Sequence, residues 1–217
     1  LSDYWIFYID ADITEERQRI LVKNLNVAGF DVLPFQSWNQ ARKFIDKVDK
    51  EALQIGAVNT IKINKDGSLK GYNTDHYGFS KALIEFFPLK EKKALVLGTG
   101  GASKAVKYVL QIMNFEVTQV SRTKTENNIT YTDLNRDIIK QNYLIVNCTP
   151  LGTFPKIEEC PDIPYEYLTK DHLAFDLTYN PRETKFMKLS KERGARKSNG
   201  LKMLEYQAKK AWSIWIS

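Results

Sequence analysis

Cysteine and histidine are scarce in this sequence, with two of each among 217 residues. Cys148 and Cys160 form no Cys-x-x-Cys pair and no metal spacing, which excludes a zinc ribbon and a redox dithiol motif. Both are expected as free thiols in a reducing cytoplasm. His76 and His172 stand far apart and make no ligand pattern, so no metal site is expected. No run of about 18 apolar residues occurs, which excludes a membrane-spanning helix. The opening LSDYWIFYID is too short and too acidic to be a secretory signal. It carries no initiator Met, as expected of a fragment or a processed form. A dense basic block is missing as well. The net charge of +6 is spread along the chain, so the expected partner is an anionic small molecule and not nucleic acid. There is no internal repeat and no low-complexity tract.

What is present describes an ordinary globular protein. Hydrophobic residues make up 43% and charged residues 27%, over a length that suits one large domain or two small ones. Residues 4–10 and 30–35 are short apolar runs that predict strands. Between them, residues 14–28 have helical spacing, with Thr14 as N-cap and Gly29 as stop. Residues 37–54 predict a second helix capped by Ser37. A strand–helix–strand–helix beginning implies a parallel sheet.

Residues 60–64 (TIKIN) alternate, residues 65–67 (KDG) supply turn chemistry, and residues 68–72 (SLKGY) return, which predicts an antiparallel hairpin. With Asp66 and Gly67 at its tip, Asn59 and Thr60 face Thr74 and Asn73, and Asp75 falls beside them. A helix over 77–87 then stops at Pro88, and residues 90–93 form a polar joint where a domain boundary is expected. Beyond it, residues 93–97 (KALVL) predict a buried strand. Further strands are expected at 115–120, 143–147 and 173–177, and a last helix at 200–215.

Residues 97–105 (LGTGGASKA) lie between a predicted strand and a predicted helix, the context a dinucleotide fingerprint needs. Gly98 allows the tight turn and Gly100 lets the backbone approach a pyrophosphate. Helix-start amides then face the anion. The third glycine position holds Ser103, a departure from the plain pattern. At the end of the next strand stand Ser121, Arg122, Thr123 and Lys124, with no carboxylate to grip a ribose 2′-hydroxyl. Two cations and two hydroxyls there favour NADP over NAD. The plainer readings are a ligand-free glycine turn and solvated surface charges.

Seven segments then come in a fixed order: GAVNT (56–60), GYNTD (71–75), GTGGAS (98–103), SRT (121–123), NCTPLG (147–152), FDLTYNP (175–181) and NGLKMLEYQ (199–207). Together they resemble the shikimate dehydrogenase family, NADP-dependent enzymes of aromatic biosynthesis, from about Asp46 to the C-terminus. The resemblance implies that Asn59 and Asp75 hydrogen-bond the ring hydroxyls of shikimate. It makes Asp75 half of a catalytic Lys–Asp pair, and Tyr179 and Gln207 further substrate contacts. It implies that Gly98, Thr99, Gly100, Gly101 and Ala102 hold the pyrophosphate. Ser121, Arg122 and Thr123 would take the adenosine phosphate, and Thr149, Leu177, Gly200 and Met203 would border the nicotinamide. Taken singly, these residues have plain alternatives: Asp75 as a helix N-cap, Asn59 as a strand-end residue, Gln207 as a solvated one.

The first 45 residues depart from this pattern. No Ser-x-Ser pair, the family's substrate-carboxylate segment, precedes Ser37. The family's Lys segment has only Asn26-Val-Ala28 and Asp31-Val-Leu-Pro-Phe-Gln36 as counterparts, with Gln36 where Lys belongs. The same stretch weakly resembles a response-regulator receiver, through Asp10, Asp12 and Arg17. The expected architecture is therefore α/β: a Rossmann-type NADP-binding domain over 89–198 and a smaller, apparently truncated α/β substrate-binding domain over 1–88. A C-terminal helix, 199–217, would pack back on the first domain. The expected activity is cytoplasmic, NADPH-dependent reduction of 3-dehydroshikimate by a monomer or homodimer. A non-catalytic NADP-binding relative and a receiver-like interaction module fused to a dinucleotide-binding domain are the alternatives.

Overall fold

The computed structural model describes the backbone of Trp5–Ile9 and Asp31–Phe35 and all of residues 45–217. The chain divides into two compact units, Leu1–Leu53 with Val58–Tyr72, and Gln54–Ala57 with Asn73–Ser217.

In the first unit, β1 (Trp5–Ile9) and β2 (Asp31–Phe35) pair in parallel, with Trp5 beside Asp31 and Ile9 beside Phe35. Both are the expected apolar runs. The helix expected over 14–28, the acids Asp10 and Asp12, and Gln36 lie outside the described residues, as does the start of the helix expected over 37–54. The rest of that helix is not formed as expected. Lys47–Val48 is a strand, β3, and only Lys50–Ile55 is helical, as α1. Two carboxylates explain the break. Asp46 accepts the Leu69 N–H at 2.7 Å and so ties the segment to the sheet. Asp49 accepts the Glu51 N–H at 3.3 Å, which starts a new helix there.

β4 (Thr60–Ile63) and β5 (Leu69–Tyr72) form the expected antiparallel hairpin, and β3 adds to β5 in parallel. The register differs by one residue from the sequence expectation, since Thr60 faces Tyr72 and not Asn73. The turn is the cause. Asn64 and Ser68 close it through Asn64 N–H to Ser68 O at 2.9 Å, leaving three residues in the loop. Gly67 takes the left-handed position at φ +80°. An odd loop of this kind moves every cross-strand partner by one.

The second unit holds a six-stranded sheet. Its elements in chain order are α2 (Asp75–Ile84), β6 (Lys93–Leu97), α3 (Gly101–Ile112), β7 (Glu116–Ser121), β8 (Ile129–Thr130), α4 (Arg136–Gln141), β9 (Leu144–Asn147), β10 (Leu173–Asp176), α5 (Lys185–Glu192), β11 (Arg196–Ser198) and α6 (Leu201–Trp215). Across the sheet the order is β11-β10-β9-β6-β7-β8, with every pair parallel. The central strands read as unbroken apolar runs because both faces are covered. Strand alternation divides them. Ala94, Val96, Leu144, Val146, Leu173 and Phe175 pack with Phe79 and Leu83 of α2, Val106 and Leu110 of α3 and Met203 of α6. Leu95, Leu97, Ile145 and Ala174 turn to the other face, against Ile139 of α4 and Phe186 and Met187 of α5. The sheet is thus a three-layer core, and the parallel doubly wound fold expected from the sequence is present.

Candidate functional site

In a sheet of this order the chain runs outward in both directions from β6 and β9. The crevice beyond their C-terminal ends is where such folds bind ligands. Gly98 sits at that point. Its φ is +105°, a value that L side chains resist. A Cβ there would lie 3.2 Å from the Cys148 carbonyl oxygen, so the β6 and β9 exits pass too closely for a side chain. The loop is held by Gly98 N–H to Val120 O at 2.8 Å and by the Gln119 carboxamide donating to Gly98 O at 3.0 Å. Gly100 caps α3, and a Cβ on it would meet nothing within 4 Å. Its outer face is therefore open backbone, a cradle that a side chain would fill. The first amides of a helix lack intrahelical acceptors, and α3 spans 12 residues, so an anion fits there. Ser103, the departure from the glycine pattern, is fully buried, and its hydroxyl donates to Gly100 O at 2.7 Å. It braces the loop from beneath.

At the end of β7, Ser121 is buried. Its hydroxyl donates to Thr123 O and accepts the Thr123 N–H at 3.2 Å, so it shapes the bend that carries Arg122. Arg122 is exposed and makes no ion pair among the described residues. Lys124 differs, for its Nζ is 3.6 Å from Asp133 Oδ2. Of the two cations that the sequence offers at this strand end, one already has a carboxylate partner.

At the ends of β9 and β10 lies a buried polar network that sequence reasoning gave no role. Asn147 and Asp176 are both fully buried. Asn147 Nδ2 donates to Asp176 Oδ1 at 3.1 Å. Asp176 also accepts the Thr178 N–H at 2.9 Å and the Thr184 hydroxyl at 2.6 Å. Burial pushes the Asp176 carboxyl above its ordinary range, and these donors pull it back only in part. The other edge of Asn147 faces the crevice loop, where its Oδ1 accepts both the Thr149 N–H at 3.0 Å and the Thr149 hydroxyl at 2.7 Å. Its backbone carbonyl takes the Leu177 N–H at 3.0 Å. One asparagine therefore sets the positions of Thr149 and Leu177. Gly200 closes against the same segment. Its N–H reaches Thr178 O at 3.0 Å, and a Cβ on it would fall 1.9 Å from the Leu177 carbonyl oxygen. Met203 is buried one turn into α6, in the cluster that also contains Cys148 and Leu177. The structure thus draws Thr149, Leu177, Gly200 and Met203 toward the β9 and β10 exits. The signal in the sequence was Asn147 and Asp176 themselves, polar residues ending apolar strands.

Asp75 is the first residue of α2, and the N-cap position belongs to Thr74. Asn73 does the side-chain work of that helix start: its Oδ1 accepts the His76 N–H at 3.3 Å, while its Nδ2 donates to Ala57 O at 3.2 Å. The plain reading of Asp75 as the cap therefore does not hold. The Cys148 thiol is raised well above its ordinary value by burial, with the carboxylates of Asp176 and Asp75 adding to it, which puts Asp75 in the electrostatic neighbourhood of the β9 exit. Gln207 comes to the start of α2, with the Thr74 hydroxyl 3.5 Å from its Oε1. Helices α2 and α6 cross closely there, since a Cβ on Gly78 would lie 2.5 Å from Met203 O. Tyr179 follows Thr178 and is 50% exposed. Asn59 belongs to the first unit, where its N–H bonds Tyr72 O at 3.0 Å and its Oδ1 accepts the Thr60 hydroxyl at 3.1 Å. Among the described residues no group of three His, Cys, Asp or Glu side chains could hold a metal.

A parallel sheet reversing its direction at a glycine loop that opens a helix defines a dinucleotide-binding α/β protein of the Rossmann type. No family model matches the sequence. Individual relatives do. The chain is 38% identical over 226 residues to the shikimate dehydrogenase (NADP(+)) of Methanococcus maripaludis strain C6, an alignment covering 96% of this chain and 80% of the relative. Among solved structures, it superposes on a shikimate dehydrogenase in complex with NADP+ with a TM-score of 0.72 at 33% identity, over 94% of this chain and 77% of the other. The Thermus thermophilus enzyme, in complex with NADP(H) and shikimate, gives 0.73 at 25% identity, over 98% and 93%. The chain belongs to the shikimate dehydrogenase family. These alignments also reach into the first 45 residues, where no family motif was legible.

Proposed function

We propose that this protein reduces 3-dehydroshikimate to shikimate with NADPH, as an oxidoreductase of aromatic amino acid biosynthesis. The observation that carries this reading is the Gly98–Ser103 loop at the switch point of the sheet, in a chain of this family. Gly98, Thr99, Gly100, Gly101 and Ala102 hold the pyrophosphate against the start of α3. Ser121, Arg122 and Thr123 take the adenosine phosphate. Thr149, Leu177, Gly200 and Met203 border the nicotinamide, which supplies the hydride when bound. Asn59, Asp75, Tyr179 and Gln207 contact the substrate, and Asp75 orients the hydroxyl next to the reacting carbonyl. Substrate binding is assigned to residues 1–88, cofactor binding to 89–198 and the closing helix to 199–217.

The proton that reaches the carbonyl oxygen needs a donor, and a positioned general acid typically contributes about 10²–10⁴-fold. Neither sequence counterpart of the family's Lys segment, Asn26-Val-Ala28 or Asp31-Val-Leu-Pro-Phe-Gln36, supplies that Lys. Asp75 is thus left with the orienting role. The place of action is the cytoplasm, as monomer or homodimer, a compartment that suits the two free thiols. Among the described residues no helix is long and apolar enough to cross a membrane.

The test is absorbance at the NADPH band after adding shikimate and NADP+, alongside a fluorescence titration with NADPH. Turnover that is lost in Asp75→Ala supports the enzyme. Tight NADPH binding with no rate above buffer removes catalysis and leaves a non-catalytic NADP-binding relative.

A further inference from the structure

We infer that Asp133 is a determinant of cofactor preference: its carboxylate occupies Lys124 and sets a negative charge beside the 2′-phosphate position, so that it restrains the discrimination between NADPH and NADH. The inference rests on the reading that β7 ends at the adenosine phosphate.

Three observations meet at this point. The first is register. β7 and β8 pair with Ser121 beside Thr130, so Thr130 is one strand spacing, about 4.8 Å, from the residue expected at the phosphate. The second is attachment. Asp133 Oδ2 accepts the Thr130 N–H at 2.8 Å and the Thr130 hydroxyl at 2.9 Å, which fixes the carboxylate on that neighbour. The third is charge. Lys124 Nζ stands 3.6 Å from the same oxygen, while Arg122 makes no ion pair among the described residues.

The loop after β7 thus offers two cations of which one is already countered. A 2′-phosphate carries between about one and a half and two negative charges near neutral pH. It meets Arg122, but it also meets the field of Asp133. The Thr130 N–H, and then its hydroxyl, hold the Asp133 carboxyl below its ordinary range, so its charge persists throughout the neutral range. A ribose with a free 2′-hydroxyl feels no such repulsion. Asp133 also caps the short turn Tyr131–Asp133. Capping alone predicts that Asn, which keeps an acceptor oxygen, changes nothing in the choice of cofactor.

The experiment is a fluorescence titration of the purified full chain with NADPH and with NADH, for wild type, Asp133→Asn, Lys124→Ala and the double variant. The expected result is that Asp133→Asn tightens NADPH about three- to tenfold and NADH less than about twofold, with the gain shrinking at high salt. Lys124→Ala alone shifts NADPH little and removes most of the gain in the Asp133→Asn background, a coupling that a double-mutant cycle reads directly. Equal shifts for both cofactors, or none, overturn the inference while leaving NADPH binding in place. A wild-type chain that binds neither cofactor overturns the functional reading along with it.

Discussion

The two ends of the expected cofactor track are built on opposite principles. At the β9 and β10 exits, Asn147, Asp176 and Thr184 are fully buried and joined in one network, and Gly200 presses on the Leu177 carbonyl. At the β7 and β8 exits the groups are exposed, as Arg122 and Lys124 are, or half-buried, as Asp133 is, and charge decides. Close packing makes the first end a fixed template with almost no tolerance for added atoms. Solvent makes the second end a balance of screened charges that single substitutions can tune. The chemistry proposed for the two ends calls for this division. Hydride transfer requires atoms placed to a fraction of an ångström, whereas phosphate recognition requires only the right sign of charge nearby.

The sharpest way to break the template is Gly200→Ala. The added methyl would overlap the Leu177 oxygen, so α6 must shift or detach, at about 3 kcal/mol or more. A loss of unfolding free energy in urea of less than about 1 kcal/mol would show that the contact yields easily. Gly100→Ala is the contrast within the glycine set. Its Cβ meets no protein atom within 4 Å, so stability falls by only about half a kcal/mol. NADPH affinity falls at least about tenfold, because the methyl fills the cradle. Unchanged binding would place the pyrophosphate elsewhere.

The smallest expected effect concerns Asp176. Its carboxyl is raised in the folded chain above the ordinary value of 3.8, mainly by burial. The folded protein therefore holds that proton more tightly than the unfolded one. The stabilisation is fully present below 3.8 and is lost as pH rises through the folded value. Thermal unfolding from about pH 3.5 to pH 6 should show this declining limb in the difference between wild type and Asp176→Asn. A flat difference curve would mean that the donors around Asp176 fully offset its burial.

Much of the second unit was legible in the sequence. The runs at 93–97 and 144–147 are apolar at nearly every position because helices cover both faces of the sheet, and that pattern survives in a single sequence. The stretch from Ile129 to Gln141 was not legible. β8 has two residues, and α4 has six and buries only Ile139. Such short segments take their form from neighbours and not from periodicity. The hairpin was recognised but shifted by one, since DG at a tip does not say whether the loop holds two residues or three. The expected helix over 37–54 failed where Asp46 found a backbone partner 23 residues away.

The sequence by itself determined which residues line up along the chain: a buried strand, a glycine loop, a helix, and the order of motifs that marks the family. These are local patterns, carried by the identity and spacing of neighbours. Only the tertiary structure decided how distant polar groups pair. Asn147 meets Asp176 across 29 residues, and Lys124 meets Asp133 because β8 returns beside β7. Those contacts depend on sheet register and on loss of water, neither of which is written in any single stretch of residues. They set where Thr149 and Leu177 stand and how much positive charge is left for a phosphate.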